Sequence, residues 1–145
     1  MTLHVDGPTD LLGLVGADLG ASEWIELDPA HAESFASAAV TGDDSGAEGA
    51  APPYLLLSLV NLFLPELIVV DHMSMGVNVG LEQVRFPSPV TAGSSIRGRG
   101  EVMSAVDAGG GVQVVVRLTI EVAGTDGEAL PDAACIADTV SRFFP

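Results

Sequence analysis

The sequence predicts an α+β domain in which an antiparallel sheet wraps around one long central helix. Three observations carry that expectation. Residues 54–70 form a nearly unbroken apolar stretch in mid-chain, the chain after Met73 divides into four runs of strand-like alternation, and turn residues separate those runs at 87–89, 107–111 and 124–127. Strands joined by short turns make a meander, and a helix apolar on nearly every face has to be covered by protein.

Taken in order, Ser22-Glu23-Trp24-Ile25-Glu26-Leu27 alternates polar and apolar as a half-buried strand does. Asp28-Pro29 supplies an N-cap and a first-turn proline, which opens a short helix through His31, Phe35 and Ala39 to a glycine stop at Thr41-Gly42. Residues 43–51 are small, polar and glycine-rich, and read as a loop. Pro52-Pro53 can open the second helix because its first N–H groups lack helical partners anyway, and the helix continues from Tyr54 to Leu64, ahead of Pro65. Ser58, Asn61, Pro65 and Glu66 interrupt this segment, which is also short for a bilayer span of about 20 residues. A buried helix is therefore expected, and no membrane span.

The strands are placed at 75–86, 94–106, 112–122 and 132–144. In the second, Ile96, Gly98, Gly100 and Val102 share one face, and Arg97, Arg99 and Glu101 the other. The third turns Val114, Val116, Leu118, Ile120 and Val122 inward and Gln113, Arg117, Thr119 and Glu121 outward. Arg97, Arg99 and Glu121 are thereby set for cross-strand charge pairs. A sheet of this kind leaves an edge open, and dimerisation through an edge strand is the usual remedy.

A length of 145 residues suits one domain, which at that size buries roughly two-thirds of its unfolded surface. The chain carries 20 acidic residues against five basic ones, all arginine, for a net charge of −15. That balance excludes nucleic acid as a partner, repels anionic membranes, and slows an anionic coenzyme A thioester unless an arginine patch receives it. The lack of lysine rules out chemistry that needs one, such as Schiff-base formation. Cys135, the only cysteine, lies in an apolar alternating run and reads as a buried thiol. With three histidines and one cysteine no metal constellation has useful spacing, so neither metal nor cofactor is expected. Residues 1–10 lack the basic and apolar regions of a secretion signal, which points to the cytoplasm.

A few polar residues stand out. His72 follows Asp71, but neighbours on an extended chain point opposite ways, so a turn position is expected there and not an imidazole–carboxylate pair. Asn61 is an amide on an apolar helix and needs a partner, either a facing strand or a ligand. Tyr54, at the mouth of the helix, is either a ligand contact or a packing aromatic. Asn78, in the following strand, joins these two as a candidate substrate contact.

The segments Leu19-Gly20-Ala21-Ser22-Glu23-Trp24-Ile25, Thr41-Gly42-Asp43, Met75-Gly76-Val77-Asn78-Val79-Gly80-Leu81 and Val84-Arg85-Phe86-Pro87-Ser88-Pro89-Val90 follow one another in a familiar order. So does the ending Val140-Ser141-Arg142-Phe143-Phe144-Pro145. From Leu19 onward the chain resembles the MaoC-like (R)-specific enoyl-thioester hydratases, in particular their nodulation-protein-N-like branch. The resemblance implies a single hotdog fold and a homodimer. The implied activity is reversible addition of water to a trans-2-enoyl thioester of coenzyme A or an acyl carrier protein. In that family an aspartate and a histidine on the loop after Thr-Gly-Asp activate the water, and a glycine N–H at the start of the central helix receives the enolate oxygen. Arg85 matches a family position with a structural role.

The carry-over is incomplete. Asp43 matches the aspartate, but no histidine lies between His31 and His72, and Glu48 is the nearest titratable residue to the expected place. The loop is shorter than in the family. Ala51-Pro52-Pro53-Tyr54 stands where the family has Ala-His-Gly before an aromatic residue, and Pro53 has no N–H to offer. Losing an acid–base group costs about 100- to 10,000-fold and losing an oxyanion donor about 100- to 1,000-fold, so ordinary hydratase turnover is not expected. Asp43 with Glu48 or Asp44 is either a proton-moving carboxylate pair or a solvated acidic loop. Three functions stay open. One is an enzyme for an apolar acyl-thioester or polyketide-like substrate, repurposed as an isomerase or as a cyclase, including a pericyclic one. Another is a non-catalytic subunit paired with an active hydratase, and the third is residual hydratase or dehydratase activity through Asp43.

Overall fold

The computed structural model describes residues 1–39 and 49–145. In chain order these form β1 (Leu3–Val5), a 3-10 turn over Pro8–Leu14, β2 (Asp18–Ala21), β3 (Ile25–Glu26), α1 (Pro29–Ala39) and α2 (Pro53–Leu67). Then follow β4 (Ile68–Val70), β5 (Met75–Arg85), β6 (Ser95–Asp107), β7 (Val112–Val122) and β8 (Cys135–Phe144). The main sheet runs β2-β6-β7-β8-β5, with β3 also paired to β6, and every pairing in it is antiparallel. The β6–β7 hairpin turns where expected. Gly109 and Gly110 take positive φ angles of 66° and 98°, and the Asp107 carboxylate accepts the Gly109 N–H at 3.0 Å. β8 begins at Cys135, three residues later than its alternation suggests, with the Ala134 N–H already reaching the Ile120 carbonyl at 2.9 Å. The expected meander holds only over β6, β7 and β8, since β5 pairs with β8 at the edge and not with β6.

The inward face is the one the alternation predicts: Ile96, Gly98, Gly100 and Val102 of β6 and Val114, Val116, Leu118 and Ile120 of β7 are all buried. α2 lies across it with Phe63 and Leu67 wholly enclosed. A Cβ at Gly98 would stand 2.6 Å from Cβ of Phe63, and one at Gly100 would stand 2.9 Å from Cδ1 of Leu67. The missing side chains therefore set how closely the helix seats on the sheet.

Three further expectations are corrected. α2 does not stop before Pro65 but continues to Leu67, where the Ile68 N–H closes onto the Leu64 carbonyl. The proline is tolerated because the carbonyl it leaves without a donor belongs to Asn61, on the exposed side of the helix. That exposed side is the second correction: Tyr54 is 69% and Leu62 50% exposed, so one face of the apolar helix is uncovered. The third concerns the strand predicted over Ser22–Leu27, of which only Ile25–Glu26 is strand, as β3, while β2 ends ahead of it at Ala21. There the Ser22 hydroxyl accepts the Gly98 N–H at 2.9 Å, a side chain taking the place of a ladder carbonyl. α1 begins as expected, its Asp28 carboxylate accepting the Ala30 N–H at 2.8 Å, while the Thr41-Gly42 stop lies outside the described residues.

The pairing of β1 with β4, parallel and three residues long, has no signature in the sequence. His4 Nδ1 sits 2.9 Å from the Asp71 carboxylate and His72 Nδ1 3.0 Å from that of Asp6, both pairs at the C-terminal end of this parallel ladder. His72 thus occupies a bend, as expected, and its partner is Asp6. On the outer face of the main sheet, Glu121 takes Arg97 at 3.4 Å and Arg99 at 2.9 Å, as the register predicted. The Arg97 guanidinium also lies over the Trp24 ring at 4.4 Å. Arg117 forks onto Asp138 at 2.8 and 3.0 Å, and that hydrogen-bonded carboxylate holds the guanidinium above its usual pKa range. Arg142 donates to the Gln113 side chain at 2.8 Å.

Gly98→Ala is expected to destabilise the fold by about 1–3 kcal/mol in urea unfolding through overpacking against Phe63. Gly80→Ala, whose Cβ would meet nothing within 4 Å, is the control and should stay within about 0.5 kcal/mol. Burial pushes the Cys135 thiol up to about 11. Its proton is held more tightly in the folded than in the unfolded chain, so stability is full below the ordinary thiol range and falls as pH rises through it toward about 11. Cys135→Ala should lose that alkaline component, and the native thiol should resist an aromatic disulfide reagent until the protein is unfolded.

Candidate functional site

Helix α2 brings the candidate site together, and its N-terminus differs from an oxyanion hole. Pro52 is the N-cap and Pro53 the first helical residue, so the first amide N–H the helix possesses is that of Tyr54. Two backbone hydrogen bonds hold the chain into this end, Ala51 to the Val90 carbonyl at 2.8 Å and Ala92 to the Gly49 carbonyl at 3.1 Å. Tyr54 projects outward, its ring centroid 6.1 Å from that of Phe86 and tilted by 55°. Asp43 and Glu48, the candidate catalytic pair, lie outside the described residues.

Farther along α2, Asn61 meets β5. Asn78 donates from Nδ2 to Oδ1 of Asn61 at 3.3 Å, so the facing-strand partner and the ligand contact inferred from sequence are neighbours. Two grooves flank this pair. One, of 320 Å³, runs past Leu57, Ser58, Val79, Leu81 and Thr139; the other, of 500 Å³, runs past Leu64, Pro65, Met73, Val77 and Phe143. Both have Asn61 and Asn78 in their walls. The structure thus brings Asn61 and Asn78 together and places Tyr54 apart from them, nearly two helical turns toward the N-terminus.

Sequence reading missed the hydroxyls of β8. Ser141 stands opposite Asn78 in the register, and Thr139 opposite Leu81. Thr139 is spoken for, donating to the Val116 carbonyl at 2.9 Å, as is Ser58, whose hydroxyl donates to the Leu55 carbonyl at 2.6 Å. The signal that would have found them is the period-two run Cys135, Ala137, Thr139, Ser141, Phe143 on the helix-facing side of β8. Among the described residues, neither groove has a carboxylate or imidazole in its wall, and no three His, Cys, Asp or Glu side chains gather as metal ligands would. None of the described helices is long and apolar enough to cross a membrane.

An antiparallel sheet in the order β2-β6-β7-β8-β5, with the short β3 also paired to β6, wrapped on one helix, is the hotdog fold. No protein-family model matches the chain. Individual proteins do. The chain is 31% identical to the 3-hydroxyacyl-thioester dehydratase Z of Mycobacterium tuberculosis, over 92% of this chain and 93% of that one. It is 30% identical to nodulation protein N of Rhizobium leguminosarum bv. viciae, over 99% and 96%. Among solved structures, the C-terminally truncated HadBC (3R-hydroxyacyl-ACP dehydratase) complex from Mycobacterium tuberculosis superimposes with a TM-score of 0.62 at 19% identity, over 89% of this chain and 96% of that one. The chain belongs to the MaoC-like hydratase and dehydratase family.

Proposed function

We propose that this protein holds the apolar chain of an acyl-thioester, or of a polyketide-like substrate of similar character, in the cleft between α2 and β5. In this reading it works as the non-catalytic half of a pair whose other half is a MaoC-like subunit with its own aspartate and histidine. The observation that carries the reading is the make-up of the cleft, where amides, hydroxyls and apolar side chains form the walls and no described titratable group does. Such a site takes up an alkyl chain and orients it with a few hydrogen bonds. It does not move a proton.

Two further features support it. Pro53, which the resemblance matches to the glycine that donates to the oxyanion, has no N–H. Among the described residues β5 ends the sheet with one side of its backbone unpaired, and Met75, Val77, Val79 and Leu81 are exposed along it, as is Met73 just before it. An open apolar edge of this length is where a partner docks. That partner is a complete subunit, because a second copy of this chain would lack the same histidine. The name of the HadBC complex supplies a parallel for unlike chains. A coenzyme A or carrier-protein thioester places the protein in the cytoplasm.

A second reading rests on the amide pair. Two amides inside an apolar cleft can hold a flexible substrate in one reactive conformer, which speeds isomerisation or cyclisation without acid–base groups.

Val79→Lys, a charge on the docking edge, should convert the assembled protein to monomer in light scattering; a wild-type chain that is monomeric alone and with its co-expressed partner would sink the docking reading. Hydration of a short trans-2-enoyl-coenzyme A, followed spectroscopically at high protein concentration, should show no turnover by this chain alone. Turnover in the ordinary hydratase range that Asp43→Asn abolishes would overturn the proposal and give Asp43 a new proton-transfer partner, with Glu48 the first to test.

A further inference from the structure

The two grooves share one partition. Asn61 and Asn78 belong to both walls, and the hydrogen bond between their side chains crosses the cleft, dividing a compartment under the N-terminal half of α2 from one under its C-terminal half. At 3.3 Å that bond is long for N–H···O, and both residues are exposed, so opening it is easy. Pro65, in the wall of the second compartment, leaves the Asn61 backbone carbonyl without its helical donor. Past the amides the second compartment is mostly apolar, with Leu64, Ile68, Met73, Val77 and Phe143 in its wall beside Ser141. The Ser58 and Thr139 hydroxyls of the first compartment already donate to backbone carbonyls, and only the amide pair spans from helix to strand.

We infer that the Asn61–Asn78 bridge sets the length of acyl chain the cleft accepts. This deepens the acyl-holding reading and rests on it. A chain that enters from the N-terminal end of α2 runs to the bridge and stops, and a longer one reaches the second compartment only by breaking it. Between Leu57, where the wall of the first compartment begins, and Asn61 the helix advances about 6 Å at about 1.5 Å per residue. An extended alkyl chain with C–C bonds of about 1.5 Å spans that distance with about five carbons, so an octanoyl chain ends at the bridge with its thioester end outside the groove.

The test is calorimetric titration of the full-length protein, in its own assembly state and in salt that screens its charge, with octanoyl- and dodecanoyl-coenzyme A. Wild type should bind the octanoyl chain more tightly. Each methylene newly buried is worth about fourfold in affinity, so Asn61→Ala and Asn78→Ala should each raise the dodecanoyl-to-octanoyl affinity ratio by about tenfold or more. Melting midpoints confirm that the variants are folded, and either variant alone suffices if the other is not. Octanoyl binding with a ratio unchanged in a folded variant overturns the bridge and leaves the acyl-holding reading standing, as does equal wild-type affinity for both chains. No binding of either thioester overturns both.

Discussion

The seating of Phe63 and Leu67 on Gly98 and Gly100 governs the rest of the molecule. Any side chain on those two β6 positions would push α2 outward by more than a carbon–carbon contact allows, since a Cβ there already falls inside 3 Å of the helix side chains. With the helix held against β6 and β7, its opposite flank stands off from β5, and the space left over is the α2–β5 cleft. The tight contact on one side and the open groove on the other are one constraint viewed from two directions. It also accounts for the uncovered face of the helix, because a sheet of six strands curls around one side of a helix and leaves β5 as the rim.

Along α2 the chemistry is graded. The proline-opened N-terminus has its first amide N–H at Tyr54, the middle carries the amide bridge to β5, and the C-terminal turn keeps a proline whose missing hydrogen bond falls on the exposed side. Among the described residues the walls of the two grooves are amides, hydroxyls and apolar side chains.

Charge is organised just as unevenly. Of the five arginines, Arg97, Arg99 and Arg117 are engaged by carboxylates on the outer face of the sheet, and Arg142 by an amide. The patch that would receive an anionic thioester is therefore largely consumed by internal pairing. These pairs order the outer face, while exposed ones contribute little to stability. The long-range field of the protein remains acidic.

Periodicity in the sequence by itself determined the four strands after Met73, the inward face of β6 and β7, the glycine turn at 107–111, the Asp28 cap and the burial of Cys135. Each is a local property, set by a period of two, a cap or a turn residue within a few positions of one another. The order of five motifs was enough to point to the family, and the absence of a histidine between His31 and His72 was legible from composition. Only the tertiary structure decided the placing of β5 beyond β8 instead of beside β6, the parallel β1–β4 ladder, the run of α2 through Pro65, the break at Ser22 and the meeting of Asn61 with Asn78. In each of these the deciding partner is distant in sequence: Val5 for Val70, Gly98 for Ser22, β5 for Asn61. Hydrophobic pattern tells a residue which side of its element to face, but the identity of the group across the gap emerges only when the elements pack.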